Sequence, residues 1–380
     1  MNKKRIAFIV NSSIGLLKFR RELIKEVKKE GHCLFGVAPY FNREEVDELI
    51  NLGVTPIVYN LSRTGKNPVR ELISIISIST KIKRIKPDLL FCFQLKPAIY
   101  GTIAAAINGI KDVYVMIEGL GYVFTADKVD SKILKKMLIV LMKIAFARSK
   151  KIFFLNSDDQ DEFIKLKIVK PEKAINLRGI GVDLSYWSYS EPNISDLSFI
   201  FVGRLLKEKG IMEFLNAAKT IKTKYPYVKF YVLGKLDSNP GSIKKEDIIS
   251  FVEEGYVEWT GFVDVKPWLQ RSSVFVLPSY REGVPRSTQE AMAIGRAIIT
   301  TDAPGCRDTV MQGKNGFFVP PRNVLSLVKA MEVFINNPDL IKIMGQESRK
   351  IAELKFNADD KNKIILENIG LSKKDLGPFE

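Results

Sequence analysis

Short apolar runs rich in β-branched residues alternate with longer segments of helical periodicity along the first half of the chain. The runs predict buried strands at Ile6–Val10, Cys33–Ala38, Pro56–Tyr59, Leu89–Phe93, Val113–Ile117 and Ile152–Leu155. The segments between them predict helices at Phe19–Lys29, Glu44–Leu52, Val69–Lys86, Ala98–Asn108 and Lys132–Arg148. Strands that are apolar throughout and alternate with helices are typical of a parallel sheet covered on both faces.

The alternation restarts after a turn-rich, aperiodic stretch at Asp183–Asp196. The second half predicts strands at Phe199–Val202, Lys229–Leu233, Val257–Thr260, Val274–Leu277, Ala297–Thr300 and Phe317–Val319, with helices that include Met212–Lys224 and Thr288–Gly295. We therefore predict an α/β protein with two Rossmann-like, doubly wound domains, residues 1–185 and 186–358, facing each other across a cleft. Residues 359–380 would form a helix or tail that could pack back on the first domain.

Cysteine and histidine are too few for several classes of site. The three cysteines, Cys33, Cys92 and Cys306, lie far apart, and His32 is the only histidine. This composition disfavours a disulfide framework, a zinc centre and any mechanism that needs two histidines. We expect His32 to have a structural role. The first residues do not resemble a signal peptide, and no apolar run approaches the roughly 20 residues that span a bilayer.

Positive charge is concentrated in the first half. Residues 1–185 carry 32 Lys and Arg against 19 Asp and Glu, whereas the remainder carries 27 against 24. Such an imbalance suggests an anionic partner, although a solvated basic surface would also explain it. The segment Ser131–Lys151 combines a helical apolar pattern with cations at both ends, which fits a helix on an anionic membrane or a core helix with basic ends. A second basic face is predicted from Arg20, Arg21, Lys25, Lys28 and Lys29.

Two carboxylates bracket a predicted strand-to-helix turn in the second half. The strand ends at Leu277, Glu282 follows in the loop, and Glu290 lies inside the next helix. The amino end of a helix that follows a parallel strand favours an anion such as a diphosphate. The two carboxylates could contact different parts of one extended ligand, or they could belong to a plain helix with an acidic neighbourhood.

Two cations follow another predicted strand of the same half. Gly203 ends the strand and permits close approach of the backbone, and Arg204 and Lys209 come next in the loop. Arginine offers a fork of donors and lysine a point charge, a combination that suits a leaving diphosphate. Basic residues after strands also commonly face solvent.

These motifs together resemble the retaining GT-B glycosyltransferases of family 4, which carry an E-x7-E signature. The resemblance rests on Gly203-Arg-Leu…Lys209-Gly, Glu282-x7-Glu290, Thr300-Thr-Asp-Ala-Pro-Gly305, and Gly313…Asn315-Gly-Phe-Phe-Val-Pro320. It implies that Arg204 and Lys209 hold the diphosphate. Glu282 would contact the hydroxyls of the transferred sugar, and Glu290 would bind the ribose. The backbone amides of Gly283 and Val284 would contact sugar or phosphate, and Val257–Phe262 would lie near the base.

The first half matches this family more loosely. Gly15 lies in the loop after the first strand, where the family has a small-residue loop beside the diphosphate. Glu118 follows another strand, in a region where many members have a histidine. The Glu118-Gly-Leu-Gly121 sequence and Leu61-Ser-Arg63…Asn67-Pro68 resemble bacterial transferases that add N-acetylhexosamine, often N-acetylgalactosamine, to a polyprenyl-diphosphate-linked sugar. The resemblance makes Glu118 a candidate for acceptor contact, unless it is an isolated turn carboxylate.

The implied reaction needs neither a histidine base nor a metal. The leaving diphosphate can take the proton of the acceptor hydroxyl, while fixed cations stabilise the developing charge. We expect no cofactor, a nucleotide-sugar donor that by resemblance is UDP-linked, and a lipid-linked saccharide acceptor in surface-polysaccharide, O-antigen or capsule assembly.

The sequence also suggests where the protein is located in the cell and leaves two other functions open. We expect a cytoplasmic protein, peripheral on the inner face of the cell membrane through its basic N-terminal domain. Two other functions stay open at this stage: a sugar-nucleotide epimerase of the same architecture, and a basic nucleic-acid-binding protein. The charge alone would suit the second, but the sequence contains no recognition motif for nucleic acid, so we expect no such partner.

Overall fold

A computed structural model of the chain describes residues 3–61, 67–119 and 129–372. These residues form two compact units. Unit 1 contains the described residues of Met1–Leu177 and Asp359–Glu380, and unit 2 is Arg178–Ala358. The predicted residues Ser62, Arg63, Leu120 and Gly121 lie outside the described part of the chain.

Unit 1 is built on a seven-stranded parallel sheet in the order β3-β2-β1-β4-β5-β6-β7. Its strands are β1 (Arg5–Ile9), β2 (Cys33–Ala38), β3 (Val54–Val58), β4 (Leu89–Phe93), β5 (Asp112–Ile117), β6 (Lys151–Phe154) and β7 (Ala174–Asn176). The six predicted strands are confirmed within a few residues. The edge strand β7 was missed because three half-buried residues carry no readable apolar pattern.

Helices connect these strands. They are α1 (Ser13–Leu17), α2 (Arg21–Lys29), α3 (Arg43–Asn51), α4 (Pro68–Ile85), α5 (Leu95–Ile107), α6 (Val129–Phe146) and α7 (Ser157–Lys165). Asn42 caps α3 by accepting from Glu45 N, and Asn67 caps α4 by accepting from Val69 N. Such caps satisfy backbone donors that a helix start leaves without partners, so these two starts are encoded locally.

Unit 2 has a six-stranded parallel sheet in the order β10-β9-β8-β11-β12-β13. Its strands are β8 (Ser198–Val202), β9 (Lys229–Leu233), β10 (Glu258–Gly261), β11 (Val274–Leu277), β12 (Ala297–Thr301) and β13 (Gly316–Val319). Its helices are α8 (Ile211–Lys224), α9 (Lys245–Glu253), α10 (Lys266–Arg271), α11 (Arg286–Ile294), α12 (Val324–Asn336) and α13 (Asp339–Lys355). The central strands β8, β11 and β12 are buried throughout, as expected of a sheet covered on both faces. The predicted α/β class with two parallel sheets is confirmed.

The turn-rich stretch Asp183–Asp196 packs within unit 2. Arg296 is fully buried and donates to the carbonyl oxygens of Ser272 at 2.8 Å and of Ser190, which lies in this stretch. Arg349 donates to the carbonyl oxygen of Trp187 at 2.8 Å. Long-range bonds from two arginines thus order a segment that has no periodic pattern of its own.

The chain passes from unit 2 into unit 1 near the start of the last helix, α14 (Ala358–Asn368). Lys361 Nζ on this helix donates to the carbonyl oxygen of Leu177 at 2.7 Å. Leu366, Ile369 and Leu371 are buried. Residues 359–372 are therefore an integral part of unit 1.

Candidate functional site

The predicted diphosphate-binding cations follow β8, which is adjacent to β11 in the sheet of unit 2. Arg204 Nη1 lies 3.1 Å from Oδ2 of Asp237, and the side chain of Asp237 is almost completely buried. Asp237 was not singled out from the sequence, because its pairing with Arg204 depends on a loop that follows the neighbouring strand β9. The half-exposed guanidinium of Arg204 is therefore oriented by a fixed carboxylate while it stays accessible to a ligand.

Lys209 stands at the end of a short 3-10 turn formed by Lys207–Lys209. Gly210 follows with φ of 72°, and a Cβ on it would lie 2.1 Å from the carbonyl oxygen of Pro278. Only glycine fits this close approach and this backbone conformation. The approach brings Lys209 against the loop after β11, where its Nζ is hydrogen-bonded to Oε1 of Glu282.

Glu282 is held firmly in that loop. Its Oε1 also accepts from Ser279 Oγ at 2.8 Å, and its backbone N donates to the carbonyl oxygen of Pro304 at 3.0 Å. Gly305 has φ of 73°, and a Cβ there would lie 2.3 Å from the carbonyl oxygen of Glu282. The Asp-Ala-Pro-Gly motif thus acts sterically, because its glycine lets one loop pack on the next.

The negative charge of Glu282 acts electrostatically on the nearby buried thiol of Cys306. Burial, followed by the nearby charge of Glu282, raises the pKa of Cys306 to about 12. Cys306 is therefore an inert packing residue at neutral pH.

Glu290 lies on α11, one turn after Arg286, whose Nε donates to Glu290 Oε1 at 2.9 Å. The side chains of Arg286 and Glu290 are mostly buried, with 19% and 15% of their surfaces exposed, respectively. The adjacent Gln289 is fully buried; it donates to the carbonyl oxygen of Val284 at 3.1 Å and accepts from Gly181 N at 3.0 Å. Gln289 therefore fixes the backbone of the turn that contains Gly283 and Val284.

A further cluster beside this turn was missed by sequence reasoning. Tyr280 donates to Oε1 of Glu213 at 2.6 Å, and the guanidinium of Arg322 lies 4.7 Å from the centre of the Tyr280 ring. Burial and the bond to Glu213 raise the pKa of the Tyr280 phenol. No local spacing links these residues, since they come from the loop after β11, from α8 and from the turn before α12.

The predicted base-binding region includes β10. Trp259 Nε1 donates to the carbonyl oxygen of Gly234 at 2.8 Å, and Lys235 Nζ lies 5.3 Å from the centre of the Phe262 ring. The Phe262 side chain is 60% exposed. An exposed ring at the end of a strand is compatible with base stacking, and the assignment stays a prediction.

In unit 1, Glu118 directly follows β5 and is bonded on both carboxylate oxygens. Gln94 Nε2 donates to its Oε2 at 2.6 Å, and Arg20 forms an ion pair with its Oε1. Gly15, predicted in a loop, lies instead inside helix α1. A Cβ on it would lie 3.7 Å from Gln94 Nε2, so Gly15 adjoins the same group. Sequence reasoning missed Gln94, because no charge or motif distinguishes it.

The prediction of a second basic face around α2 is wrong for Arg20, which lies just before this helix. Arg20 is only 2% exposed, because its guanidinium pairs with Glu118 inside the unit. The neighbouring cations are largely neutralised by acids: Arg21 by Glu48, Lys25 by Glu22 and Lys29 by Glu26. Lys28 donates to the carbonyl oxygen of His32 at 3.2 Å.

The described residues contain neither a cluster of metal ligands nor a helix that could cross a membrane. Within residues 3–61, 67–119 and 129–372, no three or more His, Cys, Asp and Glu side chains are grouped where they could bind a metal ion. In the same part of the chain, every helix is either too short or too polar to cross a bilayer.

Comparison with known families matches each half of the chain separately. Residues 5–156 match the family model described as glycosyl transferase 4-like, and residues 196–337 match glycosyl transferases group 1. The chain is 26% identical over 350 residues to the N,N'-diacetylbacillosaminyl-diphospho-undecaprenol alpha-1,3-N-acetylgalactosaminyltransferase of Campylobacter jejuni, covering 88% of this chain and 90% of the relative. It is 27% identical to the UDP-Gal:alpha-D-GlcNAc-diphosphoundecaprenol alpha-1,3-galactosyltransferase of Escherichia coli, covering 76% of each.

Solved structures show the same fold at lower identity. Sucrose-phosphate synthase from Thermosynechococcus elongatus superposes with a TM-score of 0.78 at 16% identity, covering 96% of this chain and 98% of the other. Anabaena Alr3699/HepE in complex with UDP-glucose gives 0.77 at 15% identity, covering 97% and 99%. With the two parallel sheets, these similarities confirm the predicted GT-B fold.

Proposed function

The two halves of the chain match glycosyltransferase family models, and from this premise we propose that the protein moves a sugar from a UDP-linked donor to a polyprenyl-diphosphate-linked saccharide. The transferred sugar in this proposal is an N-acetylhexosamine. The C. jejuni and E. coli relatives support this acceptor class, since both names specify an undecaprenol diphosphate carrier, and the second specifies a UDP donor. The product would enter a surface polysaccharide, O-antigen or capsule.

One observation of unit 2 carries the donor side of the proposal. Lys209 comes after β8 and Glu282 after β11, yet the two are in direct contact. The contact places a cation from one loop beside the start of α11, where backbone donors favour an anion. Arg204 and Lys209 would stabilise the leaving diphosphate, Glu282 would bind the sugar, and Glu290 would bind the ribose. Gly283 and Val284 would offer backbone amides, and Gly203 would allow close approach of the donor.

The proposed chemistry is retaining and independent of a metal. The leaving diphosphate would accept the proton of the acceptor hydroxyl on the same face of the sugar, while the two cations would take the place of a metal ion. Glu118 would contact the acceptor. The anomeric configuration of the product, read by NMR, tests retention. Undiminished turnover in excess EDTA tests metal independence.

Two helices of unit 1 support a position at the membrane surface. Both α4 and α6 bury one side against the core that includes α5, yet each also exposes apolar residues at helical spacing. The exposed residues are Val69, Leu72, Ile73 and Ile76 on α4, and Met137, Val140 and Ile144 on α6. Exposed lysines and arginines continue the same helices: Lys83, Arg84 and Lys86, and Lys136, Lys143 and Arg148. Apolar residues edged by cations suit an anionic bilayer, where each cation contributes about 1 kcal/mol.

Binding to vesicles tests this position directly. The double variant Leu72→Ser and Ile76→Ser should bind phosphatidylglycerol-containing vesicles less than the wild type in a flotation assay. Leu354→Ser is the control, because Leu354 is an apolar residue of unit 2 that is even more exposed than Leu72 and Ile76. Equal flotation of all three proteins would refute the membrane surface. If the wild type were a dimer and the double variant a monomer, the exposed apolar residues of α4 would instead contact a second copy of the chain.

Activity is tested with a panel of nucleotide sugars and a lipid extract of bacterial membranes. The proposal expects nucleotide release that depends on the lipid fraction, together with a lipid product heavier by one N-acetylhexosamine. Conversion of the donor without any acceptor would favour an epimerase. Retention on DNA or RNA that a UDP-sugar does not displace would favour a nucleic-acid-binding protein.

A further inference from the structure

Gln94 directly follows β4 and has a backbone conformation that is normally reserved for glycine. Its φ is 65° and its ψ is 161°. A side chain in this region carries strain, which persists only where surrounding contacts enforce it. The contacts here are backbone bonds from Gln94 N to the carbonyl oxygen of Met116 at 3.0 Å and from Ala98 N to the carbonyl oxygen of Gln94 at 2.9 Å. Strained residues of this kind are concentrated at functional sites.

The strained backbone directs the Gln94 amide between two neighbouring strands. Its Oε1 accepts from Asn11 N, after β1, at 3.2 Å, and its Nε2 donates to Glu118 Oε2, after β5, at 2.6 Å. Strands β1 and β5 both pair with β4, on opposite sides. One amide therefore joins the carboxyl ends of three adjacent strands and fixes one oxygen of Glu118.

Arg20 fixes the other oxygen. Its guanidinium pairs with Glu118 Oε1 and lies 4.4 Å from the centre of the Phe93 ring. Arg20 is almost fully buried, so Glu118 supplies the counter-charge that a buried guanidinium needs. The Glu118 side chain itself keeps 16% of its surface exposed.

We propose that Gln94 and Arg20 are positioning residues, which lock the carboxylate of Glu118 in one orientation so that it accepts a hydrogen bond from a hydroxyl or amide of the acceptor saccharide. This inference rests on the proposed transferase function. A carboxylate oxygen has two lone pairs, so Oε2 can keep its bond from Gln94 while it accepts a second bond from a ligand. A purely structural ion pair would need neither the strained amide nor the partial exposure of the Glu118 side chain.

Gln94→Gly separates positioning from stability. Glycine adopts this backbone conformation without strain, so the melting temperature should be unchanged or higher. The bond to Glu118 is lost, and kcat/KM for the lipid acceptor should fall about 10-fold to 100-fold, the range for a hydrogen bond to a charged group. The Kd for UDP, measured by titration calorimetry, should stay at the wild-type value.

Arg20→Lys and Arg20→Met give an independent comparison. Lysine keeps the charge and should retain more acceptor kcat/KM than methionine, at unchanged Kd for UDP. Wild-type kcat/KM in Gln94→Gly would overturn the assignment, as would a loss of activity that only follows a lower melting temperature. Absence of transfer in the wild-type protein with every donor and lipid would instead refute the proposed function, and this assignment with it.

Discussion

Lys209 and Glu282 are hydrogen-bonded to each other although 73 positions separate them along the chain. Both side chains are mostly buried, with 21% and 10% exposed. A partly buried charge that loses its partner is costly, so the properties of the two residues should be coupled. The pair joins the motif that contains Lys209 to the motif that contains Glu282. The sequence predicts that both motifs bind the same donor.

Replacing either Lys209 or Glu282 alone should therefore slow transfer strongly, because the remaining side chain loses its charge partner. We expect Lys209→Met and Glu282→Gln each to lower kcat by about 100-fold to 1,000-fold, because each removes charge from the reacting region. The double variant should lose less than the product of the two effects.

A double-mutant cycle on kcat at saturating donor measures this coupling. Lys224→Met is the control, because its partner Glu332 forms an ordinary surface ion pair with it at 2.8 Å. Additive losses in the double variant would contradict a shared role.

Glu290→Ala should weaken donor binding. A carboxylate that binds ribose hydroxyls contributes a charge-assisted bond of about 1.5–3 kcal/mol, so the Kd for UDP should rise about 10-fold to 100-fold. Glu353→Ala is the matched control, since Glu353 also pairs with an arginine four residues earlier, Arg349, at 2.6 Å. Equal Kd values for the two variants would remove Glu290 from the donor site.

Arg204→Ala should mainly slow transfer. The guanidinium is oriented by Asp237 and would act on the charge that develops on the leaving diphosphate, so kcat should fall about 100-fold with a smaller change in donor Kd. Lys207→Ala, an exposed cation of the next turn, should leave kcat unchanged. A wild-type rate for Arg204→Ala in single-turnover measurements would show that the diphosphate lies elsewhere.

His32 should make the protein less stable in weak acid. Burial and the nearby Lys4 lower the pKa of His32 below its ordinary value of 6.5, so the folded state favours the neutral ring. The unfolded chain binds a proton as pH falls through about 6.5, and the free energy of unfolding therefore declines below that pH. The stabilisation is fully present above it.

Denaturant titrations at pH 7.5 and pH 5.5 measure this decline. The difference between the two pH values should be larger for the wild type than for His32→Gln, which cannot bind the proton. Because the chain has a single histidine, its imidazole signal can also be titrated by NMR without assignment. A midpoint at or above the ordinary value would contradict the prediction.

Arg296→Met should destabilise unit 2. Burial lowers the pKa of Arg296 to about 10, yet it remains charged at neutral pH and donates to the carbonyl oxygens of Ser190 and Ser272. Removing these bonds leaves buried carbonyls without donors, at about 1–3 kcal/mol each. The melting temperature should fall while kcat per folded molecule is retained; an unchanged melting temperature would show that the Asp183–Asp196 stretch is held by other contacts.

The sequence by itself determined the fold class and the family of this protein. The strands Leu89–Phe93 and Val274–Leu277 were readable because a buried parallel strand is apolar at every position, a signal that needs no tertiary context. The order Gly203, Arg204, Lys209, Glu282 and Glu290 was readable because these residues follow strands or lie in the helix after one, in local motifs. Their roles in binding the donor remain predictions.

Tertiary structure alone decided which of these residues have partners. Arg20 reads as a surface cation in any local pattern, yet it is buried against Glu118, 98 positions away. Gln94 and Asp237 carry no motif, and their importance depends on which strands are neighbours in the sheet. Periodicity reports the environment of a side chain averaged over its own helix or strand, whereas an ion pair depends on where a distant loop ends.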